Sequence, residues 1–183
     1  MGKLFVMSGA SGVGKSTVLA KVMAARADLR FSVSATTRAP RPGEIDGESY
    51  YFVTKDKFRD MIEKHEFLEY DAHMGNFYGT PKSQLEEKLR TGSVILDIEP
   101  NGAFNVRREK DDAVLIFIAP PSLEELSNRL RGRGDTSEEQ IALRQERVAW
   151  EMEQSKHYDY VVVNDRVDDC AREILEIIAR EAD

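Results

Sequence analysis

The run Gly9-Ala10-Ser11-Gly12-Val13-Gly14-Lys15-Ser16 fits G-x-x-x-x-G-K-S/T, and it narrows the folds open to this chain more than any other segment. It follows the apolar stretch Leu4-Phe5-Val6-Met7 and precedes a helical pattern over 16–27. A glycine-rich loop between a buried strand and a helix turns successive backbone N–H groups inward, with the positive helix end behind them. Such a loop cradles phosphate. The runs Val94-Ile95-Leu96, Val114-Leu115-Ile116-Phe117-Ile118 and Val161-Val162-Val163 do not alternate, which predicts strands buried on both faces of a parallel sheet. Helices fit between them. Residues 81–89 start on proline and stop at Gly92, Ser122-Leu123-Glu124-Glu125 and Thr136-Ser137-Glu138-Glu139 are capping boxes, and a last helix covers 168–180. The fold class is α/β, a phosphate-loop parallel sheet flanked by helices.

One region departs from this pattern. Over 31–78 the strands alternate, with turn signals at Ala39-Pro40-Arg41-Pro42-Gly43, Asp46-Gly47 and Gly75-Asn76. Phe52, Phe58, Met61 and Ile62 are spaced for one small helix on a small antiparallel sheet. A charged segment with Gly132 and Gly134 reads as a mobile helical lid. The organisation expected is a core of 1–32, 82–128 and 148–183, an inserted mixed α/β lobe of 33–81, and a lid of 129–147.

Charge limits the partners. In 183 residues, 26 Lys and Arg against 33 Asp and Glu give a net charge of -7, which argues against nucleic acid or a membrane surface. An anionic substrate therefore needs a local cluster of cations. No apolar run approaches the roughly 18 residues of a membrane span, and Met1-Gly2-Lys3 leads into an apolar stretch too short for a signal peptide. Val6 stands where myristoylation requires Ser or Thr. The single cysteine, Cys170, excludes a disulfide framework and suits a reducing compartment, so a cytoplasmic protein is expected.

Candidate chemistry follows. Lys15 is placed to bridge β- and γ-phosphates, and the Ser16 hydroxyl to hold magnesium. Asp97 closes a buried strand, where an acid either orders a magnesium shell or caps a helix or turn. No Asn-Lys-x-Asp guanine motif is present, which points away from GTPases to a kinase or another ATPase. Arg38 and Arg41 flank Ala39-Pro40, so that two guanidiniums either grip a phosphate in a stiff turn or lie solvated at the surface. Tyr50 and Tyr78 offer hydroxyl donors. Glu69 has apolar neighbours in Phe67-Leu68-Glu69-Tyr70. It is either a surface or ion-paired residue, or a carboxylate that accepts from guanine N1–H and the amino group, with Ser34 and Thr80 donating to O6 or N7. Adenine would leave such a carboxylate half-paired. Trp150 and Met152 are expected to be packing residues in a long helix, Arg147 an ion-pair partner, and Cys170 half-buried. His65, His73 and His157 lack metal-ligand spacing.

Taken together, these blocks resemble the guanylate kinase family over nearly the whole chain. The likeness is carried by Gly9 to Thr17, Ser34-Ala35-Thr36-Thr37-Arg38-Ala39-Pro40-Arg41-Pro42-Gly43-Glu44, Asp46-Gly47 to Phe52, Gly75-Asn76-Phe77-Tyr78-Gly79-Thr80, Leu96-Asp97-Ile98 and Arg129-Leu130-Arg131-Gly132-Arg133-Gly134. The resemblance implies magnesium-dependent phosphoryl transfer from ATP to GMP by a core, a GMP lobe and a lid. It assigns Ser34, Glu69 and Thr80 to guanine, and Arg38, Arg41, Tyr50 and Tyr78 to the GMP phosphate. Residues Gly9, Ala10, Ser11, Gly12, Val13, Gly14, Lys15, Ser16 and Thr17 go to ATP, and Asn164 to the neighbourhood of adenine. Arg129, Arg133 and Arg144 come from the lid side to the transferring phosphoryl group. Where the family often reads Leu-Asp-Ile-Asp, this chain has Glu99, one methylene longer at a position near the guanine amino group and the metal shell, which bears on GMP affinity. Two rival classes share parts of the pattern. A ribose bisphosphate kinase would keep the loop without the guanine set, and a non-catalytic guanylate-kinase-like interaction module would have lost the loop and the lid arginines.

Overall fold

The computed structural model describes residues 2–73, 75–122, 124, 126 and 138–182, the side chains of 138–144 excepted. In chain order the described elements are β1 (Leu4–Gly9), α1 (Lys15–Ala25), β2 (Arg30–Phe31), β3 (Ala35–Thr36), β4 (Tyr51–Phe52), α2 (Lys55–Glu63), β5 (Phe67–His73), β6 (Asn76–Pro81) and α3 (Lys82–Thr91). There follow β7 (Val94–Asp97), α4 (Pro100–Glu109), β8 (Val114–Ala119), α5 (Glu138–Gln154), a 3-10 turn (Ser155–His157), β9 (Tyr160–Val163) and α6 (Val167–Ala182). The chain forms two compact units, Phe5–Ala27 with Val114–Asp183, and Met1–Leu4 with Asp28–Ala113.

The unit that carries the phosphate loop is built on parallel pairing of β1 with β8 and β8 with β9. β1 and β8 are buried throughout, as their unbroken apolar runs predict. β9 differs from expectation: Val162 is buried, but Val161 and Val163 are 46% and 49% exposed. β8 is its pairing partner and α6 covers one face, so a continuous apolar run here marks a strand with one open face. On α6 the buried residues Cys170, Ala171, Ile174, Ile177 and Ile178 fall on one helical stripe. Cys170 is fully buried rather than half-buried, and burial pushes its thiol up to about 11, which leaves it an inert packing group. Trp150 also corrects an expectation. It is 42% exposed, on the outer side of α5, and does not fill the core.

The other unit contains the parallel pair β2–β7 and a four-stranded sheet in the order β4-β3-β6-β5. That sheet is mixed, not antiparallel: β3–β6 and β6–β5 are antiparallel, but β3 and β4 run parallel. The long stretch from Thr37 to Tyr50 is what permits this, since parallel neighbours need a crossover of about a dozen residues or more. α2 is capped by Thr54, whose side chain accepts from the Lys57 N–H, and it buries Phe58 against Ala35 and Phe67. Tyr51, Val53, Met61, Ile62 and Phe77 close this small core.

Gly79 lies at its centre. A Cβ there would sit 2.9 Å from Phe67 Cδ1 and 3.1 Å from Phe58 Cζ, whose rings stack at 4.4 Å. Gly79→Ala is therefore an overpacking change, expected to cost about 1–3 kcal/mol. Thermal melting checks it: the midpoint falls by several degrees, and an unchanged midpoint would show that the rings yield freely.

Candidate active site

Strand register assembles one set of the expected residues. The pairings Ala35 with Gly79 and Ala35 with Tyr51, carried one residue back, align Ser34 with Thr80 and with Tyr50. Thr80 in turn pairs with Glu69. Tyr50, Ser34, Thr80 and Glu69 thus form one row across four strands, on the face opposite the Phe58 core. A bulge between Phe67 and Glu69 makes this possible. Strict alternation would put those two residues on the same face, whereas the extra residue, Leu68, sends Phe67 into the apolar core and Glu69 to the other side.

Glu69 is 6% exposed, and its Oε1 accepts from the Thr80 hydroxyl at 2.6 Å. Burial raises its carboxyl to about 7, the Thr80 hydrogen bond pulling the other way and Asp71 adding to the rise. It is neither a surface residue nor, among the described residues, half of an ion pair. Gly102 on α4 lies directly against it, since a Cβ there would be 2.8 Å from Glu69 Oε2. Sequence reasoning gave Gly102 no role. Its signal was a glycine inside a helix, which costs stability and needs a local reason.

At the end of the row stand Tyr50 and Tyr78, with ring centroids 6.0 Å apart, and the Arg38 guanidinium 5.2 Å over Tyr50. Arg38 is held in a fork by Glu44: Nη1 to Oε2 and Nη2 to Oε1, both 2.8 Å. Glu44 Oε2 also accepts the Arg41 backbone N–H at 2.7 Å. Arg38 first, then Arg41, hold the Glu44 carboxyl down to about 2. The same hydrogen bonds raise the Arg38 guanidinium against the effect of its burial, with help from Tyr78. Glu44 thus orients the cation of the turn, a role that the acid six residues after Arg38 could have signalled. The Arg41 side chain is exposed on the same loop. Asp97 ends β7 with Oδ1 buried, and Glu99 is the N-cap residue of α4, its side chain making no capping bond.

In the other unit, Gly12 and Gly14 take positive φ, 83° and 92°, conformations that glycine adopts without strain. Gly14 is the N-cap of α1, which has no side-chain cap and no acid in its first turn. No acid of the helix's own first turn opposes that positive end, where Lys15 and Ser16 stand. The loop is braced from outside. Ala10 N–H donates to Ile118 O and Ser11 N–H to Glu151 Oε2, while Val13 N–H closes a turn within the loop on Ala10 O. Asn164 donates its side-chain N–H to Val13 O at 2.8 Å, so it touches the loop itself. Arg147 pairs with Glu151, as expected of an ion-pair residue. Arg129 and Arg133 lie outside the described residues. Arg144 falls on α5, its side chain likewise outside them.

A phosphate loop on parallel strands, accompanied by a mixed sheet with an arginine-tyrosine cluster and a buried acid, defines a nucleotide-binding α/β protein. The guanylate kinase family profile matches residues 1–181. Curated guanylate kinases from Thermus thermophilus and Trichodesmium erythraeum are 49% and 48% identical, over 98% and 97% of this chain and 82% and 96% of theirs. The crystal structure of guanylate kinase from Anaplasma phagocytophilum superposes with a TM-score of 0.82 at 35% identity, covering 99% of this chain and 86% of that one. The chain belongs to the guanylate kinase family.

Proposed function

We propose that this chain transfers the terminal phosphoryl group of ATP to GMP, giving ADP and GDP. The observation that carries the reading is the buried row ending in Glu69 and Thr80. A carboxylate removed from water beside a hydroxyl is matched by guanine, whose N1–H and amino group supply two parallel donors. Ser34 and Thr80 complete the base site. Arg38, Arg41, Tyr50 and Tyr78 take the GMP phosphate, and Glu99 lies toward the guanine amino group. The ATP phosphates rest on the loop Gly9 to Thr17 and on Lys15, with Asn164 near adenine. Residues 33–81 serve as the acceptor lobe on a core of 1–32, 82–128 and 148–183, and the segment 129–147 supplies Arg129, Arg133 and Arg144 to the transferring group.

An oxygen of the GMP phosphate forms the new bond to the γ-phosphorus as the bridging bond to ADP breaks, and ADP carries away the electron pair. The attacking oxygen is already anionic, so no general base is required. The protein's work is alignment and neutralisation of charge. Ser16 offers a hydroxyl and Asp97 a carboxylate, each a hard oxygen donor of the kind magnesium takes. A magnesium ion held by such donors would neutralise phosphate oxygens of ATP. Among the described residues no helix is long and apolar enough to cross a membrane. The free thiol of Cys170 suits the cytoplasm, where we place the reaction.

The test is ATP-dependent ADP release with GMP, AMP, CMP and UMP as acceptors in parallel. Turnover with GMP should exceed the others by several orders of magnitude. Equal rates would remove the base-reading role of Glu69. No turnover at all in protein that binds ATP would remove nucleotide phosphorylation. The match to the guanylate kinase family over residues 1–181 does not favour the ribose bisphosphate kinase, and the intact loop does not favour the interaction module.

A further inference from the structure

We propose that Glu151 is a positioning residue for ATP, holding the phosphate loop in its binding shape with Arg147 as its counter-charge. This rests on the reading of that loop as the ATP-phosphate site. Glu151 belongs to α5, far along the chain from the loop, and its side chain is 1% exposed. Its two oxygens are divided. Oε2 accepts the Ser11 backbone N–H at 2.7 Å, and Oε1 accepts Arg147 Nε–H at 2.8 Å, one helical turn away. A buried acid is costly unless hydrogen-bonded, and packing alone would be served better by an apolar residue. What the acid adds is a fixed peptide at position 11, in a loop whose glycines otherwise leave it many conformations.

The same acid also places negative charge behind a site for anions. Tethering favours ATP and the charge opposes it, so the two effects have opposite signs. Arg147, 30% exposed, pairs with the acid and offsets the charge, which leaves the tether as the larger effect. Glu151→Gln separates them. Glutamine keeps the shape and removes the charge, yet its single oxygen can serve Ser11 or Arg147 but not both, and its amide faces the other donor. If charge mattered more, this variant would bind ATP more tightly.

Titration calorimetry with ATP alone and with GMP alone, on wild type, Glu151→Gln and Arg147→Met, decides the matter, with melting curves alongside. Freeing one loop residue corresponds to about tenfold in affinity. Glu151→Gln should therefore weaken ATP about tenfold and leave GMP within about twofold, and Arg147→Met should weaken ATP by about threefold. ATP affinity unchanged or tighter overturns the proposal. So does a parallel weakening of ATP and GMP with a lower melting point, which would mark a general structural role. If Glu151→Gln does not fold, Glu151→Asp carries the decision: it keeps the charge and draws the carboxylate back from the Ser11 N–H, so ATP should weaken by several-fold, and unchanged ATP affinity overturns the proposal. Wild type that binds ATP but leaves GMP unphosphorylated would sink the functional reading, while the ATP affinities would still judge this one.

Discussion

Lys15→Met lowers kcat/KM for GMP phosphorylation by about a thousandfold, in protein that still folds. Lys15 carries the one formal positive charge between Gly9 and Thr17. It opens a helix whose first turn holds no acid. Two unit charges about 4 Å apart, at an effective dielectric of about 20, interact by about 4 kcal/mol. At about 1.4 kcal/mol per decade this is close to three orders of magnitude. Methionine keeps the stem and has nearly the same helix propensity, so folding should be spared. The coupled ADP-release assay reads the loss, and a melting curve shows that the fold survives. A loss of less than tenfold would mean that backbone N–H groups hold the phosphates without Lys15.

Glu69→Gln should produce three effects together. Turnover with GMP falls by about a thousandfold, because the amide sets a donor against one of the two guanine donors in a buried site. Selectivity shifts toward AMP, whose N1 acceptor and amino donor match a primary amide. The ligand-free protein gains stability at high pH. The sign follows from the raised carboxyl, about 7 against an ordinary 4.5. Below about pH 4.5 both folded and unfolded chains hold the proton. As pH rises toward 7 the unfolded chain releases it first, so wild-type stability declines, by an amount on the order of 3 kcal/mol, and levels off above 7. Glutamine does not titrate. The melting-point difference, variant minus wild type, should therefore open from pH 5 to about pH 7 and flatten by pH 8. A constant difference across that range would show that the Glu69 site is wetter than its burial implies.

These two sites differ in how far the sequence alone reveals them. The phosphate loop is written in consecutive residues, and its strand and helix adjoin it, so local rules suffice. The base row is not local: Ser34, Tyr50, Glu69 and Thr80 become neighbours through pairings between short strands. Counting by twos along Phe67-Leu68-Glu69 also misleads, because the bulge breaks the count. β3 and β4 are two residues each, too short to announce a parallel pair. The apolar runs located β1, β7 and β8 well, but an apolar run cannot say that one side of β9 is bare. Trp150 fails for a related reason, since a large apolar side chain on a helix does not disclose which side the helix buries. Glu44 and Glu151 read as ordinary acids until their partners, Arg38 and Ser11, are seen beside them.

The extra residue in β5 also bears on how this lobe can change over evolutionary time. Leu68 occupies a place where the partner strand has no matching residue, so a chain lacking it would still set Phe67 opposite Pro81 and Glu69 opposite Thr80. Losing a residue there closes the ladder into a regular one and leaves the base-reading row intact. A deletion a few positions later, between Glu69 and His73, would move the strand one step against Thr80 and swap its two sides. The strand thus contains one site where a change of length spares the base-reading register, at the loss of the buried Leu68 side chain, immediately ahead of a stretch where it does not.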